Sequence, residues 1–138
     1  MEKRLFFLIN MAQHRMFKFA DSHCEDSLGI SVTQAAAIMF VAKNEGGLQK
    51  TLSKALGLNN SAITGLVGRM VKNGLIIRKP CAEDGRASRL FLSDTGKQKL
   101  PDIFPLVQAI NKQLTEDFTE EEIETVVRFL NKVMKDFD

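Results

Sequence analysis

The sequence predicts a mainly α-helical fold that carries one small β-hairpin. Apolar residues recur at helical spacing through most of the 138-residue chain. Two short helical patterns meet near the centre across a turn of about three residues, which is helix-turn-helix spacing. After Gly74 the pattern changes to short runs of β-branched and aromatic residues, which are typical of strands. The chain has the length of one ordinary domain and can bury its own core.

The first two helices are marked by apolar spacing and by a capping pattern. Apolar side chains recur every three or four positions over residues 5–20. The next helix begins with Ser31 or Thr33 as its cap, and Gln34 is placed to complete a capping box with Ser31. This helix is expected to stop at the Gly46-Gly47 pair.

Residues 48–58 and 59–75 form the predicted helix-turn-helix. The first segment places its leucines on one face and ends at Gly57, where a positive backbone angle costs little. The second segment restarts with Asn59 as its cap, shows apolar residues at helical spacing, and stops at Gly74.

A β-hairpin follows the helix-turn-helix. Residues 75–80 and 88–93 have the composition of strands, and the Asp84-Gly85 pair between them is a turn signal.

Two further helices complete the predicted fold. Ser93 or Asp94 can cap a helix through the region that follows the hairpin, although Pro101 and Pro105 are expected to bend it or delay its regular start. The last helix opens at Thr119, with three glutamates at the positive end of its dipole.

Positive charge is concentrated in the middle of the chain. Residues 43–99 carry eleven basic and four acidic side chains, whereas residues 1–42 are neutral and residues 100–138 have an excess of acidic side chains. A basic segment of this kind is typical of a phosphate-binding face, because each neutralised phosphate releases counterions from nucleic acid. A solvated basic surface without a partner is the alternative.

The second helix of the pair has an outward face of small and polar residues. Glycine inside a helix costs about 0.8–1.0 kcal/mol relative to alanine, so Gly65 and Gly68 indicate that some surface approaches the backbone there. That surface is either the groove of a nucleic acid or another helix packed closely. In the first case Ser61 and Thr64 contact bases or phosphates, and the two basic residues that follow hold phosphates. The candidate DNA-binding residues of this helix are Asn60, Ser61, Thr64, Gly65, Gly68, Arg69 and Lys72.

The hairpin supplies a second set of candidate DNA contacts. An arginine at a hairpin tip can enter a narrow minor groove, where the negative potential is enhanced. Asp84 is placed to orient Arg86 through a charge-assisted hydrogen bond. The alternative is a solvated turn with an ordinary surface ion pair worth less than about 1 kcal/mol. The candidate DNA-binding residues of the hairpin are Arg78, Lys79, Asp84, Arg86 and Arg89.

Residues 32–96 resemble the multiple antibiotic resistance regulator (MarR) family of bacterial winged helix-turn-helix repressors. The resemblance runs through VTQAAAIMFVA, LSKALGLNNSAITGLVGRMVKNGLIIRK and EDGRASRLFLSDTG. The hairpin, or wing, is the specific part, because it shows the family's Asp-x-Arg, Leu-Ser/Thr and Gly positions in order. These positions are Asp84, Arg86, Leu92, Ser93 and Gly96. Gly65 and Thr51 depart from the basic and acidic residues that relatives often have, so the preferred DNA sequence cannot be copied from a relative.

The resemblance implies a homodimer that binds double-stranded DNA and reads a palindromic operator with two recognition helices. Residues 1–30 and 100–138 would form a helical dimerisation region, and residues 31–99 the DNA-binding lobe. Apolar stripes on the terminal helices agree, since a symmetric dimer commonly buries such a surface. We therefore predict a transcriptional repressor that a small apolar or phenolic effector releases from DNA. A winged-helix protein-interaction module without specific DNA binding is the alternative.

No cofactor, metal site or disulfide is predicted. Cys24 and Cys81 lack paired spacing, and Cys81, at the hairpin, is expected to be exposed. Some members of the family use an oxidisable cysteine in the first helix, but this chain has no tyrosine to support a thiolate at Cys24. His14 and His23 offer too few ligands for a metal ion and are expected in solvent or at a dimer interface.

Other classes of protein lack support in the sequence. It contains no paired catalytic carboxylates in an apolar setting, no nucleophile elbow and no phosphate-cradling glycine loop, so no enzymatic activity is predicted. The apolar run at the N-terminus is short and lacks a cleavage site, and no stretch approaches the roughly 20 apolar residues of a membrane span. We expect a cytoplasmic protein with no membrane partner.

Overall fold

The computed structural model describes residues 1–138, which fall into two compact units, Met1–Phe104 and Pro105–Asp138. Six helices and three short strands confirm the predicted fold class, mainly α with a small antiparallel sheet. In chain order the elements are α1 (Leu5–Leu28), α2 (Val32–Lys43), β1 (Gly47–Leu48), α3 (Gln49–Leu56), α4 (Asn60–Lys72), β2 (Ile76–Pro80), β3 (Ser88–Leu92), α5 (Asp94–Thr115) and α6 (Glu120–Asp136). None of the helices is both long and apolar enough to cross a membrane.

Side-chain caps confirm three of the predicted helix starts. The Ser31 hydroxyl accepts the backbone N–H of Gln34 at 3.1 Å, and the Gln34 side chain accepts the N–H of Ser31, which completes the capping box. The Asn59 side chain accepts a backbone N–H from the first turn of α4 at 2.8 Å. Thr119 and Glu122 form a second capping box at α6. Each cap satisfies donors that the first helical turn leaves open.

The hairpin belongs to a three-stranded antiparallel sheet in the order β1-β3-β2. Ile76 of β2 lies opposite Leu92 of β3, as the predicted hairpin requires. The sequence did not indicate β1, whose Gly47 pairs with Leu90 of β3. A strand of two residues has no period to detect, and this one depends on β3 for its hydrogen bonds.

The core of the first unit is entirely apolar. Its helices and strands meet around α2, which contacts α1, α3 and β3. No charged or polar side chain is buried in it. The largest fully buried side chains are Ile38, Leu52, Met70, Leu90 and Ile103.

Ser93 and Gly96 determine how α5 begins. The Ser93 hydroxyl accepts the N–H of Gly96 at 3.0 Å and donates to the carbonyl of Gly74. A β-carbon on Gly96 would overlap the carbonyl oxygen of Leu75, so only glycine fits this position without a shift of the backbone. Ser93 and Gly96, which both carry the family resemblance, therefore hold the start of α5 against Gly74 and Leu75, the residues just before β2.

Pro101 and Pro105 are expected either to bend this helix or to delay its regular start, and the delay is wrong. α5 begins at Asp94, directly after the Ser93 cap, and continues through both prolines to Thr115. The start is not delayed because the Ser93 cap begins the helix seven residues before the first proline. The first compact unit ends at Phe104, beside the second proline.

The second unit contains the rest of α5 and all of α6. No residue of α6 is buried. Its apolar stripe is open, with Met134 63% exposed and Phe137 85% exposed.

Candidate nucleic-acid interface

A short, braced turn joins α3 to α4. α3 ends at Gly57, whose φ of 66° lies in the left-handed region, as the sequence predicts. The Ser53 hydroxyl donates to the carbonyl of Leu58 at 2.6 Å, and the Leu58 N–H donates to the carbonyl of Ser53 at 3.0 Å. These paired bonds hold the two helices in helix-turn-helix geometry.

The helix α4 has one buried face and one open face. Its buried side chains are Ile63, Leu66, Val67 and Met70. Ser61, Gly65, Gly68 and Lys72 follow at helical spacing on the opposite face. Of the other predicted residues of this helix, Thr64 and Arg69 are exposed at the margins of this face. Asn60 is exposed in the first turn, at helical spacing from the buried Ile63 and Val67. Six of the seven predicted residues of α4 therefore lie on or beside the open face.

Nothing else in the chain packs on the glycines of α4. A β-carbon on Gly68 would meet no atom within 4 Å. A β-carbon on Gly65 would meet only Nη1 of Arg69, at 3.2 Å. The alternative that another helix of this chain packs closely on them is therefore wrong, and the backbone of α4 is open to an approaching surface.

A shallow cavity of about 330 Å³ adjoins this face, between the start of α2 and α4. Its polar lining includes Ser31, Thr33, Ser61 and Arg69. The local sequence indicates only a capping role for Ser31 and Thr33. They lie about 30 residues before α4, and no local pattern places them beside it.

The tip of the wing is a turn shaped by Asp84. Its carboxylate accepts the backbone N–H of Arg86 at 3.0 Å, and its carbonyl accepts the N–H of Ala87 at 3.0 Å. The prediction that Asp84 orients the guanidinium of Arg86 is wrong, because so short a side chain reaches the N–H two residues on instead. The guanidinium of Arg86 is exposed, with no hydrogen bond or ion pair within the chain.

The two basic residues of β2 project to opposite faces of the wing. Arg78 lies opposite Leu90 of β3, and Lys79 lies opposite Arg89, so the alternation of the strand separates them. The ammonium group of Lys79 sits 5.0 Å from the centre of the Phe91 ring. The structure therefore does not place Arg78 and Lys79 on one surface, although both are exposed.

Arg89 differs from the other basic residues of the wing because contacts within the chain hold it. Its Nη1 donates to the carbonyl of Gly46 at 2.8 Å, and its Nη2 donates to the carboxylate of Glu83 at 3.1 Å. The sequence indicates neither partner. Gly46 is 43 positions away, and Glu83 looks like an ordinary solvated residue of the turn.

The helix-turn-helix and the wing are similar to those of known proteins. A model of the MarR family matches residues 28–87, from the end of α1 to the wing tip. A crystal structure of mutant MarR from E. coli complexed with operator DNA superposes with a TM-score of 0.83 and 25% identity, over 94% of this chain and 92% of that chain. Over residues 28–87 the chain matches the MarR family of transcriptional regulators.

Two further proteins are similar to this chain. The organic hydroperoxide resistance transcriptional regulator of Bacillus subtilis is 29% identical over 123 residues, which are 87% of this chain and 83% of that protein. The S. aureus MepR-DNA complex shares the fold with a TM-score of 0.89, at 22% identity, over 99% of this chain and 100% of that chain.

Both cysteines of this protein are buried. Cys24 is 2% exposed, and burial, together with the negative charge of Asp21, raises the pKa of its thiol. The prediction that Cys81 is exposed is wrong: it is 6% exposed, and its thiol donates to the carboxylate of Glu83 at 3.0 Å. That thiol and the guanidinium of Arg89 lower the pKa of Glu83 to about 2.

Proposed function

We propose that this protein is a MarR-family repressor that binds a palindromic operator in double-stranded DNA as a homodimer. The observation that carries the proposal is the open face of α4, where a β-carbon on Gly68 would meet no atom within 4 Å and Lys72 is exposed beside it. A helix with this face can approach base edges closely while its charges meet phosphates. The E. coli MarR structure is complexed with operator DNA and the S. aureus MepR structure with DNA, and both support the proposal.

The candidate residues sort into three kinds of contact. On α4, the polar side chains Asn60, Ser61 and Thr64 would read base edges at the start of the helix, while Arg69 and Lys72 would hold phosphates. At the wing, Arg86 would enter the minor groove, and Asp84 would shape the turn that presents it. Arg78 and Lys79 would reach phosphates on either side of that groove, because they project from opposite faces of the hairpin.

Apolar surface that the single chain leaves open supports the homodimer. On α1, Phe6 is 79% exposed and Phe17 is 48% exposed, and the apolar stripe of α6 is open as well. Exposed apolar area of this extent usually marks an interaction surface. A second copy of the chain would cover it and would set two recognition helices about 34 Å apart, one turn of DNA.

A small apolar or phenolic effector would act through the first unit. A cavity of about 310 Å³ lies between α1 and the start of α2, where Phe17 and Val32 supply apolar walls and Lys18 supplies a cation. The Asp21 carboxylate accepts the backbone N–H of Val32 at 2.9 Å and ties the two helices together beside this cavity. A ligand that changed this contact would change the position of the DNA-binding helices and, by linkage, the affinity for the operator.

The decisive experiment is a titration of the protein against its own upstream intergenic DNA and a scrambled duplex, by fluorescence anisotropy at several salt concentrations. We expect tight, salt-sensitive binding that prefers the upstream DNA, and a stoichiometry of two chains for each site. Arg128→Gln, which changes an exposed basic residue of α6, serves as the control and is expected to leave affinity unchanged. Absence of binding at low salt would overturn the proposal and favour a protein-interaction module.

A further inference from the structure

Arg89 connects the wing to the turn that precedes β1. One end of its guanidinium donates to the Gly46 carbonyl at 2.8 Å, and the other donates to the Glu83 carboxylate at 3.1 Å. The N–H of Gly46 also donates to the carbonyl of Leu90, at 2.8 Å. Both backbone groups of Gly46 are therefore bound to β3, which carries the returning half of the wing.

Glu83 is an unusual residue for a surface that meets DNA. Its carboxylate stands in the wing turn, where its negative charge repels phosphates, and its side chain is 75% exposed. The same oxygen accepts the Cys81 thiol at 3.0 Å and Nη2 of Arg89 at 3.1 Å. This arrangement joins the end of β2, the turn and β3 through one atom, and it gives the acidic residue a structural reason to be there.

The register of the hairpin also gives Glu83 a structural role beside Arg89. Lys79 lies directly opposite Arg89, and like charges in this position destabilise a sheet. Glu83 neutralises Arg89, while Lys79 lies over the Phe91 ring. Both terminal nitrogens of Arg89 thus have partners within the chain, in contrast to the open guanidinium of Arg86.

We propose that Arg89 is a positioning residue, which sets the angle of the wing on the helix-turn-helix so that Arg86 reaches the minor groove, and that it binds no DNA phosphate itself. The inference rests on the proposed function and deepens it. The hydrogen bonds from Arg89 to Gly46 and Glu83 form a bridge between the wing and the turn before β1. Loss of the Arg89 or the Glu83 side chain therefore loosens the same connection.

A double-mutant cycle of Arg89→Gln and Arg86→Ala tests whether Arg89 acts through Arg86. We expect Arg89→Gln alone to weaken operator binding by about two- to thirtyfold, the range of a residue that modulates a contact at a distance. In the Arg86→Ala background the same change is expected to have little effect, because the contact that it positions is already gone. Independent, multiplicative losses would overturn the proposal.

The salt dependence separates positioning from a direct phosphate contact. We expect the slope of log K against log salt for Arg89→Gln to equal that of the wild-type protein, because no counterion release is lost. Arg78→Gln, an exposed arginine of the neighbouring strand, is the matched variant, and its slope is expected to fall by about one for each subunit. A similar fall for Arg89→Gln would overturn the proposal.

Glu83→Gln gives a second test that does not depend on the stability of Arg89→Gln. Removal of a negative charge near DNA strengthens binding if only long-range electrostatics matter. If instead the carboxylate holds Arg89 in place, Glu83→Gln weakens operator binding, and this is the result that we expect. Tighter binding by Glu83→Gln would contradict the positioning role.

Reactivity of Cys81 reports the bridge in the absence of DNA. Cys81 is 6% exposed beneath Glu83, so a disulfide reagent such as Ellman's reagent is expected to modify it slowly in the wild-type protein and faster in Arg89→Gln. Peptide mass analysis distinguishes Cys81 from Cys24. Unchanged protection of Cys81 would overturn the proposal.

If instead the wild-type protein binds no DNA and Arg86→Ala changes nothing, the proposed function fails, and this inference fails with it.

Discussion

The guanidinium of Arg69 lies across Gly65 on the open face of α4, with Nη1 3.2 Å from the place that a β-carbon on Gly65 would occupy. Because residue 65 has no side chain, Arg69 can reach toward the centre of the face from the next helical turn. The absence of a side chain at Gly65 thus determines where the charge of Arg69 is presented.

Gly65→Ala is therefore expected to change the operator preference more than the fold. The new methyl group meets only the flexible end of Arg69, so the helix gains up to about 1 kcal/mol of stability while the guanidinium moves away. Affinities for the operator and its single-base variants, compared with those of Arg69→Ala, measure the effect. If Gly65→Ala keeps the wild-type base preference while Arg69→Ala loses it, the two residues are not linked.

Gly68→Ala is expected to stabilise the protein and to weaken DNA binding. The added methyl group meets no atom of the chain, and alanine is favoured over glycine in a helix by about 0.8–1.0 kcal/mol. A DNA groove that approaches the backbone would clash with the methyl group. Urea denaturation and anisotropy measure the two quantities, and equal or tighter DNA binding would contradict close approach at this position.

Gly96→Ala is the matched substitution in a second helix and is expected to have the opposite effect on stability. Its β-carbon would overlap the carbonyl oxygen of Leu75, which is backbone and cannot move cheaply. We expect a loss of about 1–3 kcal/mol in the free energy of unfolding, as for an overpacked core. A neutral effect in urea denaturation would show that α5 can shift at its start.

Arg86→Ala and Lys72→Ala are expected to weaken DNA binding in different ways. Arg86 contacts the minor groove in the proposed complex, and its loss is expected to cost about 1–3 kcal/mol of binding free energy. Lys72 contacts phosphate, so its loss weakens specific and scrambled DNA alike and lowers the salt slope by about one for each subunit. The wing assignment fails if Arg86→Ala binds the operator as tightly as the wild-type protein does.

Cys24 is expected to be a poor redox sensor. Burial and the charge of Asp21 raise the pKa of its thiol, so the reactive thiolate is scarce at neutral pH. The rate of iodoacetamide modification of Cys24 is expected to rise only above the ordinary thiol pKa of about 8.5. Rapid modification at pH 7, or loss of DNA binding on peroxide treatment that Cys24→Ser abolishes, would contradict this.

The local elements were predictable because short-range physics specifies them. The Ser31–Gln34 capping box, the Asn59 cap and the positive φ of Gly57 all depend on residues within one helical turn. The α4 face was predictable for the same reason, since helical spacing alone separates Ser61 and Lys72 from the buried side chains.

The predictions failed where a hydrogen bond forms within the wing turn, or where a cap starts a helix ahead of its prolines. Cys81 is buried because the wing turn folds back over its thiol, and Asp84 bonds to the backbone of its own turn in preference to the Arg86 guanidinium. The prolines of α5 do not delay its start because the Ser93 cap begins the helix before them.

The sequence by itself determined the helices, their caps, the hairpin and the face of α4 that carries the candidate contacts. Periodicity and capping encode these features within a few residues. Only the tertiary structure decided that α4 leaves its glycines open, that Gly96 must fit against Leu75, and that Arg89 bridges Glu83 and Gly46. These features depend on which segments meet in space, and packing of the whole chain sets those distances, which no local pattern contains.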